Sequence, residues 1–513
     1  MAEIVEGGNS LATRLVELAS ARAEFFHDRD RECYATFKDD DHRETWPIAS
    51  QTFHHWLSHH FYSAYKKAPS ASGLRDAITT IMGKALYEAT ERQVHLRVAQ
   101  SGGTIFIDLC NDDWEAVTVT ASGYTVISNP PVRFRRTRAM RSLPRPEPGG
   151  DISDLWPFMN VTLEDDQRLL TVWLAEALRS DTPFPILVFE GEQGSGKSSA
   201  QDRLRSLTDP SRANLRAAPR KIEDIFVGAA TNWVVSFNNL THLSAGQQEA
   251  LCTLSTGGGY AARTLYTNLD ETVAEVKRPV VLNGINTLAT AQDLIDRCFT
   301  IELPVFERSA RKPERALNRE FEEVWPRLFG ALLNTVSGAL RELPGVELSE
   351  LPRMADFALL GVAVERALGW PPGSFMDAYH RKRVTAVRRG LDASPIAQAI
   401  QEYVSTHPSG YEGTVKELFD NLEEYQPSEG AAWPKSARGL GDALRRNSTA
   451  LRTVGINIAF DPTRQNDGYH VKIIPVSQSS QGSRSTQVSE RRERGEHEST
   501  RVSDDQDRER FVL

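Results

Sequence analysis

Cysteine is scarce and poorly spaced for chemistry. The four thiols, Cys33, Cys110, Cys252 and Cys298, include no CxxC pair. That argues against a disulfide framework or a structural zinc knuckle, and for buried, reduced side chains. Long apolar runs are missing too: nothing approaches the roughly 18 residues of a membrane span. The opening MAEIVEGGNS has no basic segment followed by an apolar one, so a cytoplasmic protein with no membrane partner is expected. A basic excess is also absent. Sixty Lys and Arg face 69 Asp and Glu, a formal charge of −9, and any nucleic-acid contact must therefore come from local patches rather than from a global field.

What the chain does have is length. With 513 residues, 40% of them apolar, it exceeds what one core fills, roughly 250 to 300 residues. A multidomain α/β organisation is expected. Residues 1–150 read as a mixed α+β accessory domain: NSLATRLVELASARAEFF places Leu11, Leu15 and Leu18 on one helical face behind a Ser10 cap. Further on, TIFIDLC and EAVTVTA alternate as a hairpin around NDDW. The stretch FHHWLSHHF sets His55 and His59 four residues apart. That spacing suits a metal ligand pair or, with the intervening aromatics, simply a packing face. The domain ends in NPPVRFRRTRAMRSLPRPEPGG, whose six arginines and five prolines read as a solvated connector or as a contact to DNA or acidic neighbours.

From 151 to 305 short apolar strands alternate with helical segments, the pattern of a three-layer α/β unit. Within it PFPILVFEGEQGSGKSSAQDRLRSL carries Gly191-Glu192-Gln193-Gly194-Ser195-Gly196-Lys197-Ser198, followed by Ser199. This is a complete GxxxxGK[ST] phosphate loop between an apolar strand and a helix. Its glycines let backbone N–H groups wrap phosphates, Lys197 reaches their outer oxygens, and Ser198 offers a hydroxyl to Mg²⁺. ATP and Mg²⁺ are the expected cofactors.

The elements that follow, NWVVSFNNL, SAGQQEALCTLS, RPVVLNGIN, TAQDLIDRC and FTIELP, run strand, helix, strand, helix, strand, an order that fits an AAA+-like core. Asn283, ending the RPVVLNGIN strand, is placed either to contact a γ-phosphate and its attacking water or to cap an Asn-Gly turn. Between the first two strands, Gly257 to Gly259 lead into a stretch carrying Arg263, Tyr266 and Lys277. These form a nucleic-acid-gripping hairpin in the pore of a ring or a solvated surface hairpin.

Taken together, GEQGSGKS, VVSFNNLTHLS, TGGGYAARTLYT, KRPVVLNGI and LIDRCFTIELP resemble the ATPases of phage and mobile-element replication proteins of the primase/helicase type, related to superfamily 3 helicases. The resemblance extends through PPVRFRRTRAM, LPRMADFA and WPKSARGLGDALRR, over about residues 30–475. It implies a hexameric, ATP-driven translocase with single-stranded or forked DNA in a central channel. It makes the glycine-rich stretch before Asn283 a DNA-contacting motif and Arg297 an arginine finger. Against that role stands a local salt bridge from Arg297 to Asp293 or Asp296. No paired carboxylates with zinc-binding partners mark residues 1–150 as a primase.

One position departs from the resemblance. Relatives carry Asp-Asn where this chain has Asn238-Asn239, and an amide keeps the shape of the metal-side aspartate but not its charge. Glu190 and Glu249 are the nearby carboxylates that would compensate. Lys197, Asn238, Asn239, Asn283 and Arg297 form the expected catalytic set. Two activities stay open: a nucleic-acid motor, or an ATP-binding, weakly hydrolysing scaffold or initiator/loader in replication or antiphage defence.

Residues 306–392 read as a helical lid and 393–475 as a winged helix, three helices followed by a strand pair. Its third helix is flanked by Lys435, Arg438, Arg445 and Arg446, with Arg464 in the wing, for DNA or for protein docking. Residues 476–513, rich in Ser, Gln and charge, are expected to be disordered.

Overall fold

A computed structural model of the chain describes residues 10–39, 42–263, 271–306, 313–426, 433–462 and 468–475. The tail after residue 475, Tyr266 and Arg464 lie outside the described residues. The architecture is multidomain and mixed α/β, and it divides between Pro395 and Ile396 into two compact units. No helix among the described residues is long and apolar enough to cross a membrane.

The first unit opens with α1 (Leu11–Ser20), where Ser10 Oγ accepts the Thr13 N–H at 3.1 Å, satisfying a helix donor that has no partner within the helix. An antiparallel sheet of β1 (Ala23–His27), β2 (Cys33–Asp39) and β3 (His42–Pro47) follows, then α2 (Gln51–Tyr65) and α3 (Ala71–Tyr87). Leu15, Phe37, Phe53, Leu57 and Ile81 form their core. The packed face of α2 is Phe53, Leu57 and Phe61, which leaves His55 and His59 exposed. The described residues contain no His, Cys, Asp and Glu grouping that would hold a metal.

Next come β4 (Val94–His95), a meander of β5 (Val98–Ser101), β6 (Thr104–Asp108), β7 (Ala116–Thr120) and β8 (Gly123–Ile127), and β9 (Arg133–Phe134), which pairs with β4. The expected hairpin is β6 against β7, with Asp108 opposite Ala116.

In the Arg/Pro-rich segment Arg133, Arg136 and Arg145 pair with Glu24, Asp108 and Glu115, the acidic-neighbour alternative rather than the solvated connector. Arg136 forks onto Asp108 at 2.6 and 3.0 Å and lies 3.8 Å over the Trp114 ring. The Glu147 N–H donates to Pro326 O, and a Cβ on Gly330 would come within 2.0 Å of the Glu147 carbonyl. Proline-locked backbone with few donors suits such a close crossing.

The central sheet is built from α4 (Glu164–Glu176), β10 (Ile186–Glu190), α5 (Lys197–Thr208), α6 (Ile222–Thr231), β11 (Val235–Leu240), α7 (Ala245–Thr256), an antiparallel hairpin of β12 (Gly258–Arg263) and β13 (Glu271–Val276), then β14 (Val280–Gly284), α8 (Gln292–Ile295) and β15 (Cys298–Glu302). Four of these strands run parallel in the order β11-β14-β10-β15. Every residue of β10 and β14 is buried, as expected for parallel strands covered on both faces. Three helices complete the unit: α9 (Glu314–Glu342), α10 (Ala355–Leu368) and α11 (Ser374–Asp392). One apolar core runs from Val98 and Val119 through Trp173, Phe189 and Phe299 to Phe357 and Tyr379.

A buried ionic hub ties the meander to this sheet. Asp209, at the end of α5, accepts from Arg97 at 3.0 Å, Arg205 at 3.2 Å and the Trp233 and Val234 N–H groups. Burial opposes its charge, but Arg205 and Arg97 outweigh burial and hold the carboxyl below its usual range.

The second unit contains α12 (Pro395–Thr406), β16 (Tyr411–Thr414), α13 (Val415–Asn421), α14 (Ala437–Thr453), β17 (Ile456–Phe460) and β18 (His470–Pro475). Its sheet is antiparallel in the order β16-β18-β17. The four-residue β16 adds a third strand to the expected pair; with only four residues it is too short to show alternation.

Candidate nucleotide site

Three strand ends converge on the loop from Gly191 to Ser198. The loop leaves β10 and enters α5, and the sequence pays for its shape in glycine. Gly191, Gly194 and Gly196 have φ of 145°, 85° and 86°, a region L side chains avoid. A Cβ at Gly191 would approach the Leu303 carbonyl to 2.5 Å, and one at Gly196 the Phe306 ring to 2.7 Å. Asn160 braces the loop from outside by donating to Ser195 O at 3.0 Å and to Pro304 O. Glu192, Gln193, Gly194 and Ser199 are exposed, whereas Ser195 and Lys197 are buried. The Lys197 ammonium donates to Gly191 O at 2.7 Å and Glu192 O at 2.8 Å, inside the arc of its own loop. Burial lowers its pKa.

The next strand brings Asn238 and Asn239 to this loop. Pairing of β11 with β14 keeps register at Phe237 with Leu282, then slips before Leu240 with Gly284. The two asparagines occupy that irregularity, with Asn239 at φ 57°, a conformation asparagine tolerates better than most residues. Ser198 Oγ donates to Asn238 Oδ1 at 2.9 Å. Asn283 is fully buried at the end of β14 and donates to both Asn238 Oδ1 and Gln201 Oε1, while its Oδ1 accepts the Asn239 N–H at 2.8 Å. Its polar atoms are thus all engaged inside the chain.

Ser198 Oγ, whose hydrogen goes to Asn238, keeps its lone pairs as a hard oxygen donor of the kind Mg²⁺ accepts, and magnesium usually keeps much of its water shell beside nucleotide phosphates. One protein hydroxyl fits a metal delivered with its nucleotide and mostly water-coordinated. Of the two carboxylates considered as substitutes for aspartate, Glu190 is buried and committed: it accepts from Leu288 N–H at 3.2 Å and Arg389 at 3.1 Å. Burial raises its pKa, with the Leu288 N–H and Arg389 opposing. Glu249 is exposed on α7.

Other expected residues are placed elsewhere. Arg297 forms the local ion pair with Asp293 and also donates to the Asp293 carbonyl; Asp293 is shared with Arg353 at 2.9 Å. Arg263 lies on β12 opposite Glu271. Lys277 follows β13 at the base of the hairpin, half-buried, with its ammonium 5.9 Å from the Phe184 ring centroid, and burial lowers its pKa. In the second unit Lys435, Arg438, Arg445 and Arg446 are all exposed. Arg445 lies 4.7 Å over Phe460 and pairs with Asp442 at 3.5 Å.

Sequence reasoning missed Gln201, Asn160, Arg389 and Arg452. Gln201 stands four residues after Lys197 on α5, and that spacing was a usable signal. Arg452 is seven residues beyond Arg445 and so continues the stripe of Arg438 and Arg445 along α14. Asn160 and Arg389 reach the loop and its strand from elements far away in sequence, and no local pattern marks them.

Residues 152–381 match the family profile described as the replication protein of actinomycete integrative conjugative elements, and residues 396–490 match the C-terminal domain of that protein. The chain is similar to the replication proteins of these mobile elements. Solved structures with a related course include one titled "SCCmec type IV Cch - active helicase", 12% identical, covering 89% of this chain and 93% of that one at a TM-score of 0.46. Another is the apo C-terminal region of NrS-1, 12% identical, covering 90% and 98% at a TM-score of 0.40. No curated protein matches.

Proposed function

We propose that this chain is an ATP-dependent nucleic-acid motor acting in the replication of a mobile element. In this reading residues 151–305 are an AAA+-like P-loop core, 306–392 its helical lid and 393–475 a winged helix. ATP with Mg²⁺ sits on Gly191–Ser198, Lys197 neutralises the outer phosphates, and subunits assemble in a ring, a hexamer by resemblance, around single-stranded or forked DNA. The observation that carries it is the meeting of Ser198, Asn238 and Asn283 at the ends of α5, β11 and β14, beside a loop whose glycines exclude side chains. The strand order β11-β14-β10-β15 and the match to a replication-protein profile support it. The helix-strand order of the second unit, with Lys435, Arg438, Arg445 and Arg446 exposed, supports a DNA-binding winged helix. Arg297 as a finger toward a neighbouring subunit requires release from Asp293, and Arg263 and Lys277 as DNA contacts belong to the same ring geometry.

A second reading, an ATP-gated scaffold or loader with slow turnover, is favoured by one feature. Among the described residues the groups hydrogen-bonded around Ser198 are amides, with no carboxylate among them. Steady-state ATP turnover with and without single-stranded DNA separates the two. DNA-stimulated turnover that Lys197→Ala abolishes supports the motor. Background turnover in both conditions, with ATP still bound, selects the scaffold.

A further inference from the structure

The side-chain amides around Asn238 are oriented by a chain of donors and acceptors that starts at backbone groups. Gln201 is fully buried, and its Nε2 lies 3.2 Å from Phe237 O and 3.3 Å from Val281 O. Carbonyl oxygens only accept, so the amide nitrogen of Gln201 must face them. Ser236 Oγ, 2.7 Å from the same nitrogen, gives its own hydrogen to Asn214 O and accepts here. The Gln201 oxygen is therefore turned to Asn283, which must answer with its Nδ2. The Asn283 oxygen is then left for the Asn239 N–H, a group that only donates. The second Nδ2 hydrogen of Asn283 points at Asn238, which must answer with Oδ1, the atom that also accepts from Ser198. What remains of the Asn238 side chain is its NH₂ group, which has no hydrogen-bond partner among the described residues. Each step follows from valence, because no other amide orientation satisfies these buried partners.

We propose that Gln201 is a positioning residue that, together with the Asn239 N–H and through Asn283, holds the Asn238 amide with its oxygen inward and its NH₂ free for the ligand, so that position 238 offers a hydrogen-bond donor to phosphate oxygens. This rests on the nucleotide reading of the site. A donor there stabilises a bare phosphate anion directly and depends little on a cation. An aspartate would repel the bare anion and require Mg²⁺ between them. Gln201 touches neither ligand nor metal in this arrangement; it acts by fixing which face of Asn238 is presented.

The test measures the affinity of the full-length chain for a fluorescent ATP analogue with Mg²⁺ and with EDTA, and the readout is the ratio of the two dissociation constants. The ratio is expected to stay below about 10 for the wild type and to rise by about tenfold or more in Asn238→Asp. Gln201→Met, close in volume, removes one of the two groups that fix the Asn283 amide, the other being the Asn239 N–H, and so loosens the hold on Asn238. It should raise the ratio at least about threefold in the wild-type background and leave it unchanged in Asn238→Asp, since a carboxylate has no amide orientation to lose. Gln201→Asn serves in its place where the Met variant does not fold. An equal effect of the Gln201 substitution in both backgrounds, or none in the wild type, overturns the proposal. Absence of binding by the wild type in both buffers removes the nucleotide reading itself, and this inference with it.

Discussion

Ser198 donates its hydroxyl hydrogen to Asn238 Oδ1 across 2.9 Å, joining the first turn of α5 to the irregular end of β11. The bond leaves the Ser198 lone pairs available to a cation, and it holds position 238 beside the glycine-rich loop whether an amide or a carboxylate stands there.

Asn238→Asp should therefore preserve the geometry and add charge. Both internal partners, Ser198 and Asn283, donate to position 238, so a carboxylate accepts from them as the amide oxygen does. ATP turnover should rise by about tenfold or more, in line with the cost of losing one preorganised electrostatic group at a reacting centre. An unchanged rate in a folded variant would mean that another group organises the metal.

Gly196→Ala is predicted to abolish nucleotide binding while sparing the fold. The residue sits at φ 86° and its new Cβ would meet the Phe306 ring at 2.7 Å. Left-handed backbone costs a non-glycine residue about 1 kcal/mol or more, and the loop responds by leaving its phosphate-wrapping shape. A fluorescent-nucleotide titration beside a thermal melt separates loss of the site from loss of the protein.

Asp209→Asn should destabilise the first unit by about 3 to 5 kcal/mol, because Arg97 and Arg205 would be left as buried charges without their counter-ion. The acid limb of stability follows from the same group. Its folded pKa lies below its unfolded one, despite the opposing effect of burial. The contribution is complete above the unfolded value, about 4, and is lost as pH falls through the folded value. Denaturant titrations between pH 2 and pH 6 should show the wild type losing stability in that window and Asp209→Asn losing less.

Single replacements of Arg438, Arg445 and Arg452 by alanine should each weaken DNA binding without regard to sequence. Each should also reduce the slope of log affinity against log salt by about 1, the signature of one lost phosphate contact. The three stand seven residues apart along α14, and all are exposed. A slope that does not move for any of the three would assign this helix to protein docking instead.

The legible parts of the protein were those in which a short segment carries its own constraint. The loop of Gly191 to Ser198 is one, because positive φ and close backbone approach leave glycine as the economical residue at several fixed spacings. The buried strands β10 and β14 are another, since continuous apolar runs flanked by helices have few other homes. The Ser10 cap was written beside the helix it closes. For the Arg/Pro-rich segment composition left a solvated connector and contact with acidic neighbours both open, and only the fold brought Arg136 to Asp108 and Trp114 in a neighbouring hairpin. For Arg297, the candidate local partner Asp293 was visible four residues away, and the ion pair formed.

By itself the sequence determined the glycine-rich loop of Gly191 to Ser198, the alternation of strands and helices around it, and the amide at position 238, since each depends on residues adjacent in the chain or on the identity of one side chain. Tertiary structure alone decided which atoms of those amides face one another. That Asn283 is wholly engaged, that Glu190 is held by Arg389 and Leu288, and that Gln201 bonds the Asn283 amide that in turn donates to Asn238 all rest on hydrogen bonds between groups from 40 to 199 residues apart. Such bonds form only when the sheet brings its strand ends together, because donors and acceptors recognise distance and direction in space, and neither is written in the local pattern.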